Sequence, residues 1–157
     1  MMKPFDYIEM KIPAKAQYVG VTRLTISGVA SRMGFTYDDI EDLKIATSEA
    51  ITNAVQHAYQ GDDEGEIVVG FALYNDRLEV IVADHGSSFD FVKVKEEVGP
   101  YNEGSQVDML REGGLGLYLI ESLMDDVKIS QKEGVTVFMT KYIEEEQVER
   151  DAETVST

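Results

Sequence analysis

Between residues 15 and 33 apolar side chains return at helical spacing, at Tyr18, Val21, Ile26, Val29 and Met33, with Thr22 and Thr25 among them. That period predicts a helix, and Gly34 directly after Met33 supplies its C-cap. Ahead of it, FDYIEMKI at 5–12 alternates as a strand, with a slip near Ile8 between Phe5, Tyr7 and Met10, Ile12. Pro13 ends that strand. A second helix is predicted after Thr36, running to about Tyr59. Thr36 and Asp39 make a capping-box-like pair, and Asp38 adds negative charge to the first turn. The segment GDDEG at 61–65 reads as a turn. Two runs rich in β-branched residues follow, 66–74 and 78–84, joined by Asn75, Asp76 and Arg77. They predict a hairpin.

Residues 87–112 break the pattern. They are polar, carry Gly99, Pro100 and Gly104, and show no sustained period. So long an irregular stretch inside a domain reads as a functional lid. A third helix is predicted at 115–124, then strands at 127–132 and 135–142 around a turn at Glu133 and Gly134. From Glu144 the chain is acidic and nearly devoid of large apolar residues, which predicts a disordered tail over 144–157. The order β-α-α-β-β-lid-α-β-β predicts an α/β (α+β) two-layer sandwich. Its sheet is expected to be mixed and mainly antiparallel, with helices on one face, in a single domain spanning 1–143.

The chain has 157 residues, enough for one domain and its core. Its formal net charge of -16 repels nucleic acid phosphates, so direct nucleic acid binding is not expected. The same charge would speed the approach of a basic protein partner, or it serves solubility alone. Cysteine is absent, which excludes disulfides and thiolate metal sites. No run of 18 apolar residues occurs, and the N-terminal MMKPFDYIEMKIP lacks a signal-peptide core. A cytoplasmic protein with no membrane span is the expectation.

Three islands carry candidate chemistry. In the second helix Glu49 and Asn53 stand four residues apart, on one face, with His57 a turn further on and Ala46, Ala50, Ala54 and Ala58 beside them. An acid that takes a proton and an amide oxygen that binds a hard cation would suit that face. An ordinary solvated helix carries the same residues. The second island, Asp84-His85-Gly86, ends an apolar strand. Its carboxylate can accept from an exocyclic amine, and a glycine lets a flat ring approach the backbone. An Asp/Gly turn reads the same way. The third, Arg111-Glu112-Gly113-Gly114-Leu115-Gly116, opens the third helix. It is either a phosphate cradle at a helix N-terminus, with Arg111 as a charged contact, or a hinge. GxxxxGK[ST] is absent, GxGxxG fails at Leu119, and the HRD and DFG triplets of eukaryotic-type kinases are missing.

The succession of an acid/amide helix, a strand ending in D-x-G, a lid and a glycine-opened helix resembles the GHKL superfamily of gyrase, Hsp90, histidine kinase and MutL ATP-binding domains. Within it, SEAITNAVQHAY at 48–59 and REGGLGLYLIESLMDDV at 111–127 look like the first and last motifs of the bacterial anti-sigma serine kinases. The resemblance covers roughly residues 5–142. It implies ATP and Mg2+ as cofactors. Glu49 would then be the general base toward a substrate serine and Asn53 the magnesium ligand. Asp84 would bind the adenine amine with Gly86 beneath the ring. Gly114 and Gly116 would line the phosphates, Arg111 would touch the γ-phosphate, and Arg23 would contact protein partners. It further implies a homodimer that sequesters the sigma-B factor, phosphorylates an anti-anti-sigma protein and so controls stress-response transcription. One departure stands out. Many members carry Thr directly after the glycine of the last hairpin, whereas Gly134 is followed here by Val135, then Thr136. The roles of Thr136 and His57 stay open. The chain is too short for the phosphoacceptor hairpin of a histidine kinase. A nucleotide-dependent anti-sigma module without kinase activity is the alternative, and the presence of Glu49 argues against it.

Overall fold

The computed structural model describes residues 4–58, 65–84, 117–130 and 134–144. The 87–112 lid and the tail beyond Glu144 lie outside the described residues. Strand β1 (Asp6–Pro13) leads through a single 3-10 turn to helix α1 (Val19–Met33) and helix α2 (Tyr37–Ala58). Strands β2 (Glu66–Leu73) and β3 (Arg77–Ala83) follow, then helix α3 (117–123), β4 (Asp126–Ser130) and β5 (Thr136–Tyr142). The strands form one sheet in the order β1-β2-β3-β5-β4, and each pairing is antiparallel. The mainly antiparallel sheet expected from the sequence therefore contains no parallel pair among the described residues.

Local signals set the helix ends. Gly34 takes the left-handed conformation at φ 90°, and its N–H donates to the carbonyls of Ala30 and Ser31, which closes α1. Thr36 Oγ1 accepts from the Asp39 N–H at 3.2 Å and starts α2. Along α2, Leu43, Ala46, Thr47, Ala50 and Ile51 are buried, one stripe of a 3.6-residue period. That stripe, with Ile26 and Val29 of α1 and Ile120 and Met124 from α3 and its end, packs on Ile67, Val69, Phe71, Leu78, Val80, Val82, Val137 and Met139. Each such large apolar side chain contributes about 1.5–3 kcal/mol on burial. Among the described residues helices therefore cover one face of the sheet only, as predicted.

On the other face a smaller cluster forms from Ala72, Tyr74, Ile81 and Phe138, with Tyr7 against it. The slip read at Ile8 is not a bulge, because β1 pairs in unbroken register from Asp6↔Leu73 to Pro13↔Glu66. Tyr7 belongs to this second face, while Met10 and Ile12 belong to the helix-covered one. A Cβ on Gly70 would run into the Tyr7 ring, so the glycine makes the slot in which the ring lies.

Candidate active site

Glu49 and Asn53 stand one turn apart on α2, both half-buried, beside the core residues Ala46 and Ala50. The polar pair thus flanks the helix–sheet interface, and Ala54 packs against the same cluster. Asp39 and Asp42 in the first turns of α2 lie near Lys141, which pairs with Leu78, so the C-terminal half of α2 runs toward the Asp84 end of β3. Helix α3 is fastened at the opposite end of the sheet. The Asp125 N–H donates to the Thr140 carbonyl at 2.9 Å, and Asp125 Oδ2 accepts from the Tyr142 N–H at 2.7 Å. With Leu117 and Ile120 buried, α3 runs back over the sheet from that fastening.

Asp84 follows β3 on the helix-covered side and is only 7% exposed. Its Oδ1 accepts from the Val135 N–H at 2.8 Å, and its own N–H donates to the Val135 carbonyl at 3.2 Å. A buried carboxylate needs such donors. The neighbouring residue is equally constrained. Gly134 sits at φ 76°, and a Cβ there would collide with Asp84 Oδ1. A side chain at 134 is excluded by backbone conformation and by the carboxylate together.

Register answers the question left by Val135 and Thr136. Thr136 pairs with Ala83 and Ser130, on the face away from the helices. Val135, one residue earlier, packs on the helix-side cluster, next to Asp84. A one-residue shift reverses the face of a strand. Thr136 therefore points away from Asp84, and Val135 takes the place beside it.

Arg23, exposed on α1, donates from Nε to Ser48 Oγ at 3.1 Å, and Ser48 Oγ donates to the Lys44 carbonyl at 2.7 Å. Ser48 immediately precedes Glu49. Gly86, Arg111, Gly114 and Gly116 lie outside the described residues, as does the His57 side chain. Among the described residues, no three His, Asp or Glu side chains gather as a metal cluster. A magnesium ion held by one amide oxygen, waters and phosphates requires none, so the single oxygen donor of Asn53 fits that coordination.

A model of the histidine kinase-like ATPase domain matches residues 12–141. A protein of Oceanobacillus iheyensis called serine-protein kinase RsbW is 60% identical over 156 residues, covering 99% of each chain. The chain belongs to the RsbW family. RsbW proteins of Bacillus cereus and Bacillus velezensis are 62% and 63% identical, covering 100% and 95% of this chain and 98% and 93% of theirs. The RsbU and RsbW domains of a Mycobacterium tuberculosis protein share the fold at TM-score 0.62 and 23% identity. That match covers 89% of this chain and 32% of the longer one. The RsbW fold is an ATP-binding fold of the GHKL type. Against it, sequence reasoning passed over Ser48 and the contact of Gly134 with Asp84. Ser48 carried a signal only through its place before Glu49. The Gly134 contact spans the chain from β3 to β5 and had none.

Proposed function

We propose that this chain is an anti-sigma factor and ATP-dependent protein serine kinase. It sequesters the sigma-B factor and phosphorylates a serine of its anti-anti-sigma partner, acting as a homodimer in the cytoplasm. The observation that carries this reading is identity of 60% or more, over nearly the whole chain, to proteins called serine-protein kinase RsbW. The half-buried acid/amide pair and the pinned Asp84 agree with it.

In this reading Asp84 accepts the adenine amine. Its carboxylate is already oriented by the Val135 N–H, so little ordering is left for binding. Gly86 admits the ring, and Gly114 and Gly116 give backbone N–H groups to the phosphates. Asn53 would hold magnesium, which would supply neutralisation of charge on the phosphate oxygens. Glu49 takes the proton as the substrate serine hydroxyl attacks the γ-phosphorus. The bond to the β,γ-bridging oxygen breaks, and ADP leaves. Arg111 steadies charge on the transferred group, and Arg23 receives the protein partner. Phosphoryl transfer asks the protein for positioning and electrostatics, and these residues supply both.

The test uses radiolabelled ATP with magnesium and the purified anti-anti-sigma protein. Wild type is expected to label the serine. Glu49→Ala should lose labelling by about 100-fold or more while ATP binding holds, the scale of a removed general base. Equal labelling by both proteins would take Glu49 out of the base role. ATP binding without labelling by wild type would leave a nucleotide-dependent binding module.

A further inference from the structure

We infer that Ser48 is a positioning residue, which fixes the Arg23 guanidinium for protein recognition at the shoulder of the catalytic helix. The inference rests on the partner-binding role proposed for Arg23 and adds the device that makes that role work. Among the described residues four cationic side chains lie without a carboxylate within salt-bridge distance: Lys11, Lys15, Arg23 and Arg32. Of these, Arg23 alone has its head held by a side-chain hydrogen bond. In a chain with 30 acidic residues an arginine that is exposed, anchored and unpaired is conspicuous.

The anchor has direction. Ser48 is 8% exposed, and its Oγ proton is committed to the Lys44 carbonyl. The hydroxyl oxygen is left to accept, which is what the Nε–H of Arg23 requires. A freely rotating serine would offer either role, and the bond to Lys44 selects one. With Nε engaged, the two Nη groups of the guanidinium fork remain for acceptors on an incoming protein. Holding the fork in place reduces the rotamer freedom lost on binding. Ser48 and Glu49 are adjacent, about 100° apart around the helix. A partner gripped by Arg23 is thereby registered against the same turn of α2 that carries the base.

The experiment measures serine labelling by the full chain over a range of anti-anti-sigma concentrations. Calorimetric Kd values for the anti-anti-sigma protein and the sigma factor, in the presence of nucleotide, are the second readout. Ser48→Ala is expected to raise KM and both Kd values roughly three- to tenfold, the scale of one net hydrogen bond. ATP affinity and kcat should stay within twofold. Ser48→Thr, which keeps the hydroxyl, should restore partner affinity. In an Arg23→Ala background Ser48→Ala should add nothing, because its effect passes through the arginine. Additive losses, an equal fall in ATP affinity, or no change in KM and Kd would overturn the inference. If Arg23→Ala itself leaves partner affinity unchanged, the reading of Arg23 fails, and the role of Ser48 with it. Loss in Arg23→Ala without loss in Ser48→Ala would reject Ser48 alone.

Discussion

Glycine substitution separates two demands within this one chain. At position 134 a methyl group would meet both a left-handed backbone and the Asp84 carboxylate. Gly134→Ala is expected to cost about 1–3 kcal/mol and to weaken nucleotide binding by disturbing Asp84, as read by denaturant midpoint and ATP titration. Gly28, in the middle of α1, has nothing within 4 Å of the same added atom. Gly28→Ala should raise stability by about 0.5–1 kcal/mol, the helix propensity difference. A loss of stability there would mean that this face of α1 is covered in solution.

Elements are joined by a few polar contacts that local sequence could not announce. Lys141 of β5 is 9% exposed and faces the helices. Its Nζ donates to the Leu123 carbonyl at 2.6 Å and lies 3.4 Å from Asp42 and 3.8 Å from Asp39. One ammonium thus ties the end of α3 to the first turns of α2. Lys141→Met should cost about 1–3 kcal/mol by leaving two carboxylates without their cation, measured by thermal unfolding. At the edge strand, burial first and the hydrogen bond to Glu9 second push the Tyr7 phenol well above its ordinary value of 10.0. The folded state then keeps a proton that the unfolded state releases, so this stabilisation is complete below about pH 10 and lost as pH rises beyond it. Tyr7→Phe should flatten the alkaline fall in stability, seen in unfolding series from pH 8 to 11. The helices were legible because caps and period lie within a few residues: Thr36, Gly34 and the Leu43-Ala46-Ala50 stripe speak for themselves. The strands were legible by composition. The facing of Val135 against Thr136, the bridge from Lys141 to α2 and the bond from Arg23 to Ser48 were not, since each depends on register or on residues distant in the chain.

For the whole molecule, the net charge of -16 makes approach to a basic partner a matter of ionic strength. Association with the sigma factor should slow several-fold between about 0.05 and 0.5 M salt while dissociation changes little. Stopped-flow mixing checks this, and a salt-independent rate would mean that the charge only confers solubility. Among the described residues no helix is long and apolar enough to cross a membrane. The sheet order has a further outcome during synthesis. Strand β3 is buried from Leu78 to Ala83 and sits between β2 and β5, yet β5 ends only at Tyr142. As the ribosome extends the chain, an apolar strand edge stays unpaired until β5 emerges, an invitation to aggregation that β3 no longer offers once β5 is paired to it. Nascent chains stopped within β5 should therefore pellet with insoluble material, while chains released after Tyr142 stay in solution.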